Sequence, residues 1–234
     1  MNGPLVDAGS VPAWLRPLVE ISGQVDTATF ARVVPPEAVF TRPAAVLVLF
    51  GEGPNGPDVL LLRRADTLGS HAGQVAFPGG GADASDGGPV GTALREAEEE
   101  TGVDPSGVRP VAVLPELFLS VSRFVVTPVL AHWVAPSPVH AVDPGETAAV
   151  ARVAISDLAD PANRFTVRRG AEYRGDAFAV DGLFVWGFTA GLLSVLLSLG
   201  GWEREWDRGD VRDLDVALRD HDETLQDRTE QETG

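Results

Sequence analysis

The chain has 234 residues, of which 44% are hydrophobic and 22% are charged. These values are typical of a globular protein and exclude a collagen-like, coiled-coil or wholly disordered chain. Thirty-four acidic residues against eighteen basic ones give a formal net charge of −16. Because phosphate backbones require a basic face, we expect no nucleic-acid partner. A phosphorylated small molecule would need a divalent cation or a local arginine cluster to bind here.

The sequence contains no cysteine and no lysine, so all eighteen basic residues are arginine. The lack of thiols excludes disulfides, thiolate metal sites and cysteine nucleophiles, and the lack of lysine excludes Schiff-base chemistry. The N-terminal residues do not have the basic-then-apolar order of a signal peptide. The longest apolar stretch, residues 183–199, is interrupted by Gly, Thr and Ser and is too short to span a membrane. These patterns predict a cytoplasmic protein with no membrane partner.

The order of elements predicts an α/β protein of the α+β kind, with a mixed β-sheet sandwiched between α-helices. Residues 1–40 form an N-terminal arm with one short helix over residues 13–21. The apolar run 44–50 ends in a turn, after which residues 59–64 return as the second strand of a hairpin. Further strands are predicted over residues 74–77, 108–114, 125–134 and 148–155, and further helices over residues 92–101 and 185–199. We assign the main domain to residues 41–202.

The C-terminal segment, residues 203–234, differs in composition from the rest of the chain. It holds twelve acidic and five basic residues and few large apolar ones. Such a segment is predicted to be an acidic, flexible tail. A faint helical spacing of Val211, Leu214, Ala217 and Leu218 supports an alternative, a helix docked at an oligomer interface. A homodimer is therefore possible.

Residues 95–100 read Arg-Glu-Ala-Glu-Glu-Glu within a predicted helix. At about 100° per residue, Glu96, Glu99 and Glu100 lie on one side, whereas Glu98 points further round. Three like charges on one side repel each other, and a hard cation such as Mg²⁺ or Mn²⁺ relieves that repulsion. On this run alone, a solvated acidic helix face is the favoured interpretation, because most charge runs are solvated. The preceding glycine-rich loop favours a cradle for a pyrophosphate bridged by cations.

The segment from Gly81 to Val103 resembles the Nudix box, GX5EX7REUXEEXGU, in which U is a bulky apolar residue. Arg95-Glu96, Glu99-Glu100 and Gly102-Val103 match at the expected spacing. Two positions depart from the pattern: the first glutamate of the box is replaced by Gly87, and the first U is only Ala97. The resemblance implies a Nudix fold and a hydrolase that cuts the pyrophosphate of a nucleoside diphosphate linked to another moiety.

Residues 60–80, LLLRRADTLGSHAGQVAFPGG, resemble the signature of the coenzyme A pyrophosphatase branch of Nudix hydrolases, approximately LLTxRSxxLRxHxGQVAFPGG. The match breaks at Leu62, Ala65 and Gly69. Enzymes of this branch often lack the first box glutamate too. The resemblance implies metal-dependent hydrolysis of coenzyme A or acyl-CoA, giving 3′,5′-ADP and 4′-phosphopantetheine or its acyl form. The alternatives are another substrate, such as ADP-ribose, NADH or a nucleoside triphosphate, and a Nudix sensor that binds a nucleotide without cutting it.

The resemblance also implies roles for particular residues. Glu96, Glu99 and Glu100 would hold Mg²⁺ or Mn²⁺, with Glu99 a further ligand or the general base, and Arg95 would orient Glu99. A separate base is possible at Glu116 or Glu146. The small-molecule substrate would contact Arg64, His71, Gly79, Gly80, Gly81, Arg168 and Arg169.

Several of these assignments have plain structural alternatives. His71 fits a hydrogen-bonded structural residue as well as a phosphate contact. Arg168 and Arg169, with Arg174, fit either a 3′-phosphate site or a solvated hairpin. The aromatic residues considered for stacking on adenine are Phe118, Phe124 and Trp133, although aromatic residues on strands are more often part of the core. Asp83 and Asp86 fit either outer metal ligands or turn-forming residues.

Overall fold

The computed structural model describes residues 2–30, 41–69, 71–119 and 122–233. The remainder of the predicted arm, residues 31–40, lies outside the described residues. The strands are β1 (Gly3–Pro4), β2 (Arg42–Gly53), β3 (Gly56–Arg64), β4 (Val75–Ala76), β5 (Gly79–Gly81), β6 (Val108–Val113), β7 (Leu117–Leu119), β8 (Phe124–Trp133), β9 (Thr147–Ala154), β10 (Arg164–Arg169), β11 (Tyr173–Val180), β12 (Leu183–Val185) and β13 (Val211–Asp213). The α-helices are α1 (Arg16–Ile21), α2 (Pro89–Thr101), α3 (Ile155–Leu158), α4 (Gly187–Leu199) and α5 (Leu214–Thr233).

The larger sheet is mixed and is built around β2. This strand is parallel to β8, and its last residues form an antiparallel hairpin with β3. Its first residues pair instead with β5, where Ala44 lies opposite Gly81 and Val46 opposite Gly79. The sheet continues from β8 to β6 and β1 on one side, and from β3 to β4 and β9 on the other. The continuous apolar run in β2 is explained by the burial of both of its faces.

Helices cover both faces of this sheet. Helix α2 packs through Ala93 and Ala97 against one face, where Leu47 and Leu49 of β2 are fully buried. Val48 and Phe50 point to the opposite face and pack in a cluster with residues of α1 and α4. The alternation of side chains along β2 therefore divides the core into two layers. The predicted mixed sheet between helices is confirmed.

A second sheet follows the order β12, β11, β10, β13. Strands β10 and β11 form the arginine-bearing hairpin predicted at Arg168, Arg169 and Arg174. The strand β12 takes residues 183–185, so helix α4 begins at Gly187, two residues later than predicted. Within the described residues, no helix is long and apolar enough to cross a membrane.

The acidic segment is not the flexible tail predicted from its composition. Strand β13 pairs in parallel with β10, and α5 follows it directly. Leu214 is fully buried, and Ala217 packs beside it against Phe165 and Phe184 of the second sheet. Two small or medium apolar residues spaced three apart are enough here because the aromatic side chains supply the opposing surface. The described part of the segment is therefore packed on the second sheet through Leu214, Ala217 and Leu218.

The N-terminal arm is also packed on the domain in the part described. Gly3 and Pro4 pair with Val113 and Ala112 of β6. The short predicted helix is present as α1. Leu15, just before this helix, and Leu18, within it, are buried in the same cluster as residues of α4. This packing could not be predicted from the sequence, because the apolar residues of the arm are interrupted by prolines and show only weak periodicity.

Candidate functional site

Helix α2 carries the acidic run and lies against the glycine strand β5. Its first residue is Pro89, three residues before the predicted start, and its C-cap is Gly102 in the left-handed conformation (φ 67°) that glycine adopts easily. Gly80 faces the helix so closely that a methyl group at this position would lie 2.5 Å from the Glu96 carboxylate. The glycine thus allows Glu96 to approach the backbone of β5.

Arg95 links the loop, the strand and the helix through its guanidinium. Its Nε donates to Oδ1 of Asp86 at 2.7 Å, and its Nη2 donates to Oδ2 of Asp86 at 3.1 Å and to the Gly81 carbonyl at 3.0 Å. Its Nη1 donates to Oε2 of Glu99 at 2.9 Å and lies 3.0 Å from Oε1 of Glu96. The expectation that Arg95 orients Glu99 one turn away agrees with this geometry.

Glu100 is the most enclosed carboxylate of the run, with 10% of its side chain exposed. Its Oε2 accepts a hydrogen bond from the Gly79 amide at 2.9 Å, and its Oε1 lies 3.7 Å from Nη1 of Arg64. Burial raises its pKa to about 7, and the carboxylates of Glu96 and Glu146 add to the rise, although Gly79 and Arg64 oppose it. Burial likewise raises the pKa of Glu96. Both groups are therefore carboxylates whose charged form lacks full compensation.

The three glutamates do not converge on one point. Across the described residues, no group of three or more His, Cys, Asp or Glu side chains is gathered closely enough to hold a metal ion. Nη1 of Arg95 holds Glu99 and Glu96, whereas Glu100 turns toward the Gly79 amide, and the metal role of the three glutamates stays a prediction. The donor chemistry nevertheless fits a hard divalent cation. All donors are carboxylate oxygens, and a cation relieves the cost of ionising the enclosed Glu100.

Arg63 and Arg64 face opposite sides of β3, as their alternation predicts. Arg63 binds Asp66 at 2.6 Å, whereas Arg64 reaches the carboxylate helix. The buried Nε of Arg64 has no hydrogen-bond partner in the part of the chain that the structure describes. The rest of the Arg64 side chain is 30% exposed, and a guanidinium next to Glu100 is suited to a phosphate oxygen.

His71 lies in the exposed loop before the glycine strand. Its backbone is left-handed (φ 58°), and its Nδ1 lies 2.8 Å from Oε1 of Gln74. This hydrogen bond is the structural role considered from the sequence. Substrate contact by His71 stays a prediction.

The structure places the arginine hairpin in the second sheet, without a described contact to α2. Arg168 and Arg169 are exposed at the end of β10, and Arg169 is paired with Asp215 of α5. The guanidinium of Arg169 also lies 5.6 Å from the ring centroid of Trp186. Part of the charge that the sequence assigned to substrate is therefore neutralised within the protein, and the 3′-phosphate role of Arg168 and Arg169 stays a prediction.

The two alternative bases differ in their surroundings. Glu116 is exposed between β6 and β7, and no described contact joins it to α2. Glu146 precedes β9, and its backbone carbonyl accepts a hydrogen bond from the Ala65 amide at 2.8 Å, which holds it at the end of β3. Its carboxylate is close enough to raise the pKa of Glu100. Of the two, Glu146 is the one that the fold brings to the carboxylate helix.

The aromatic candidates separate by burial. Phe118 and Trp133 are buried core residues, which excludes the stacking role considered for them. Phe124 is half-buried at the start of β8 and lies beside Gly81. It alone of the three remains available to a ligand.

Asp86 is the site residue whose role the sequence did not settle. Its side chain is only 3% exposed and accepts hydrogen bonds from Arg95, from the Asp83 amide at 2.8 Å and from the Thr92 hydroxyl at 2.8 Å. The Arg95 guanidinium holds the pKa of this carboxyl well below its usual range. The one signal in the sequence is its position next to Gly87, where the box pattern has its first glutamate.

Comparisons with known proteins agree with this architecture. A family model described as NUDIX domain matches residues 40–171. A relative from Cronobacter sakazakii, called "Uncharacterized Nudix hydrolase NudL", is 40% identical over 158 residues, which cover 66% of this chain and 81% of that protein. The protein of the same name in Escherichia coli (strain K12) is 37% identical over 163 residues, covering 68% of this chain and 83% of its own length. Among solved structures, a Nudix hydrolase from M. smegmatis, RenU, is 22% identical with a TM-score of 0.49, covering 71% of this chain and 90% of that one.

The fold and the carboxylate helix define the class of protein, and the comparisons agree: the chain belongs to the Nudix family. It is a Nudix hydrolase with an α+β fold. Nudix hydrolases use divalent metal ions and act on small nucleotide derivatives.

Proposed function

We propose that this Nudix hydrolase cleaves the pyrophosphate of coenzyme A and acyl-CoA, giving 3′,5′-ADP and 4′-phosphopantetheine or its acyl form. One observation carries the proposal: the signature-like segment 60–80 runs directly into the candidate site. Its Arg64 lies beside Glu100, and its Gly79 amide donates to the same carboxylate. The residues that resemble the coenzyme A branch are therefore in contact with those that resemble the general Nudix box.

In this proposal, Glu96, Glu99 and Glu100 hold Mg²⁺ or Mn²⁺. Bound there, a divalent cation supplies charge neutralisation at the phosphate oxygens and lowers the pKa of water. Arg95 is a positioning residue that directs Glu99 and Glu96. Arg64, whose side chain is 30% exposed beside Glu100, donates to a phosphate oxygen, and the backbone of Gly79, Gly80 and Gly81 allows the pyrophosphate to approach closely.

The general base proposed is Glu146. Glu99 is already engaged by Arg95, and Glu116 has no described contact with α2. Glu146 is exposed to solvent and close to Glu100, so it can accept a proton from water at this site. The water oxygen bonds to one phosphorus, the bond from that phosphorus to the bridging oxygen breaks, and the proton passes to the Glu146 carboxylate.

A substrate panel tests the proposal. The full chain with Mg²⁺, and separately with Mn²⁺, is assayed on CoA, acetyl-CoA, dephospho-CoA, ADP-ribose, NADH and ATP, with products separated by chromatography. We expect CoA and acetyl-CoA to have the highest kcat/KM, with no turnover in EDTA. Faster cleavage of another compound indicates a Nudix pyrophosphatase of different specificity. Nucleotide binding without turnover of any compound indicates a sensor.

A further inference from the structure

The two last glycines of β5 face opposite sides of the larger sheet. A side chain at Gly80 would meet the Glu96 carboxylate, whereas a side chain at Gly81 would point to the other face, 4.0 Å from Cε1 of Phe124. The Gly81 carbonyl also accepts the hydrogen bond from Arg95. Phe124 therefore lies on the face of the sheet opposite the carboxylate helix, and β2 pairs with both β5 and β8 between the two sites.

Phe124 is stacked with an arginine. Arg42 and Phe124 lie opposite each other where β2 and β8 pair, and the Arg42 guanidinium carbon is 4.7 Å from the ring centroid. Arg123 precedes Phe124, is exposed, and accepts a backbone hydrogen bond from the Arg42 amide at 3.1 Å. The Arg42 guanidinium and the Phe124 ring thus stack where β2 and β8 begin, and the exposed Arg123 is next to Phe124 in the chain.

The two arginines of this cluster differ in their ion pairing from several other arginines of the chain. Among the described residues, none of the ion pairs involves Arg42 or Arg123. By contrast, Arg63, Arg95 and Arg152 are each paired with an aspartate. A guanidinium stacked on a ring keeps its N–H edge free to donate to phosphate, and its outer face can extend the stack to another planar ring.

We propose that Arg42, Arg123 and Phe124 form the subsite for the nucleotide half of the substrate. The base extends the stack of Phe124 and Arg42, and the N–H groups of the two arginines hold the phosphate on the ribose. A ligand that crosses the edge at Gly81 then has its pyrophosphate beside Glu96 and its base beside Phe124. That this phosphate is a ribose 3′-phosphate rests on the proposed function. The subsite therefore assigns to Arg42 and Arg123 the 3′-phosphate contact that the sequence analysis considered for Arg168 and Arg169.

Calorimetric binding of 3′,5′-ADP and of 5′-AMP tests the subsite without turnover. The proteins, all with Mg²⁺, are the full chain, Arg42→Ala, Phe124→Leu, Arg169→Ala as the competing assignment, and the control Arg219→Ala, whose arginine is exposed on α5. Arg42→Ala should lower the preference for 3′,5′-ADP over 5′-AMP by about tenfold, the loss expected for one charge-assisted hydrogen bond. Phe124→Leu should weaken both nucleotides by about five- to tenfold and leave the preference unchanged. Arg219→Ala should match the wild type.

Three results overturn the subsite: unchanged binding in Arg42→Ala and Phe124→Leu, a loss of preference only in Arg169→Ala, or no binding of either nucleotide to the wild type. The substituted side chains are exposed or half-buried, so each variant should fold. A melting temperature equal to that of the wild type verifies this. Different results contradict the proposed subsite and the proposed activity. Wild type that binds 3′,5′-ADP through Arg42 but does not cleave CoA contradicts the proposed function alone. Cleavage of CoA with an unchanged KM in both variants contradicts the subsite alone.

Discussion

The Arg95 guanidinium binds both oxygens of the Asp86 carboxylate, from Nε at 2.7 Å and from Nη2 at 3.1 Å. This fork joins the loop before α2 to the middle of the helix. It also fixes the direction of the remaining N–H group, Nη1, toward Glu96 and Glu99. Position 87, where the box pattern has a glutamate, is a glycine in this chain. The carboxylate of the preceding residue, Asp86, binds Arg95.

Replacing Asp86 should therefore disturb the site without removing a proposed metal ligand. We expect Asp86→Asn to lower kcat or the apparent Mg²⁺ affinity by about 10- to 100-fold, the usual effect of removing a residue that orients metal ligands. Steady-state kinetics across a Mg²⁺ titration measure both quantities. Asp83→Asn is the matched control, since its carboxylate accepts only from the Ser85 amide. Equal activity of the two variants contradicts the positioning role.

The carboxylates of α2 should differ in importance according to the side of the helix on which they lie. Glu100→Gln and Glu99→Gln should each lower kcat by about two orders of magnitude or more, the scale of losing one charge-stabilising group. Glu98→Gln should keep wild-type rates, because Glu98 is exposed on the far side of the helix. A near-normal rate for Glu100→Gln would show that the metal assignment is wrong.

The raised pKa of Glu100 predicts a pH dependence in the metal-free protein. Its pKa is about 7 in the folded state against 4.5 for an ordinary glutamate, so the folded state binds more protons between these values. Stability contributed by this group should therefore fall as pH rises from about 4.5 to about 7. Denaturant unfolding in EDTA across this range measures the slope, and Glu100→Gln should flatten it.

The same titration predicts how metal binding depends on pH. Mg²⁺ requires the ionised carboxylate, so affinity should rise with pH up to about 7 and then level off, with proton release below that point. Calorimetry in two buffers of different ionisation enthalpy measures the released proton. An affinity independent of pH between 5 and 7 is the contrary result.

Gly79 and Gly80 should respond differently to the same substitution. A methyl group at Gly79 would lie 2.4 Å from the Ala45 carbonyl, a backbone atom that cannot move aside cheaply. One at Gly80 would lie 2.5 Å from the movable end of Glu96. We expect Gly79→Ala to lower the melting temperature and Gly80→Ala to lower kcat with the melting temperature nearly unchanged. The reverse pattern would contradict this assignment.

The C-terminal helix should contribute to stability. Leu214 is fully buried against the second sheet, so Leu214→Ala should destabilise the protein by about 2–5 kcal/mol. Val216→Ala, at an exposed position on the same helix, should change stability by less than about 0.5 kcal/mol. Chemical denaturation of both variants decides the matter. If Leu214→Ala is as stable as Val216→Ala, the segment is not packed through Leu214, and the prediction of a flexible tail is correct.

Much of the fold could be predicted from the sequence because hydrophobic periodicity and breakers are local signals. The apolar run of β2, the hairpin to β3, and helix α2 with its Gly102 cap all follow from neighbouring residues. Packing of the two chain ends could not be predicted in this way. Leu214 is buried only because Phe165 and Phe184 lie opposite it, and their proximity depends on the tertiary fold.

In the candidate site too, contacts set by regular spacing could be predicted, whereas contacts set by the tertiary fold could not. Residue spacing was enough to place Arg95 beside Glu99 and to send Arg63 and Arg64 to opposite faces. It could not show that Asp86 would bind Arg95, since a loop of glycines and aspartates has no regular period. Nor could it show that Glu100 would accept from the Gly79 amide while Arg95 Nη1 contacts both Glu96 and Glu99.

The pairing of both chain ends with interior strands has a consequence for biosynthesis. Strand β13 pairs with β10 and, together with Leu214, completes the cover over Phe165 and Phe184. These aromatic rings leave the ribosome well before the residues that cover them. The nascent chain therefore carries an uncovered aromatic surface until residues 211–217 have been made, and a chain cut off before them keeps that surface as a site for aggregation.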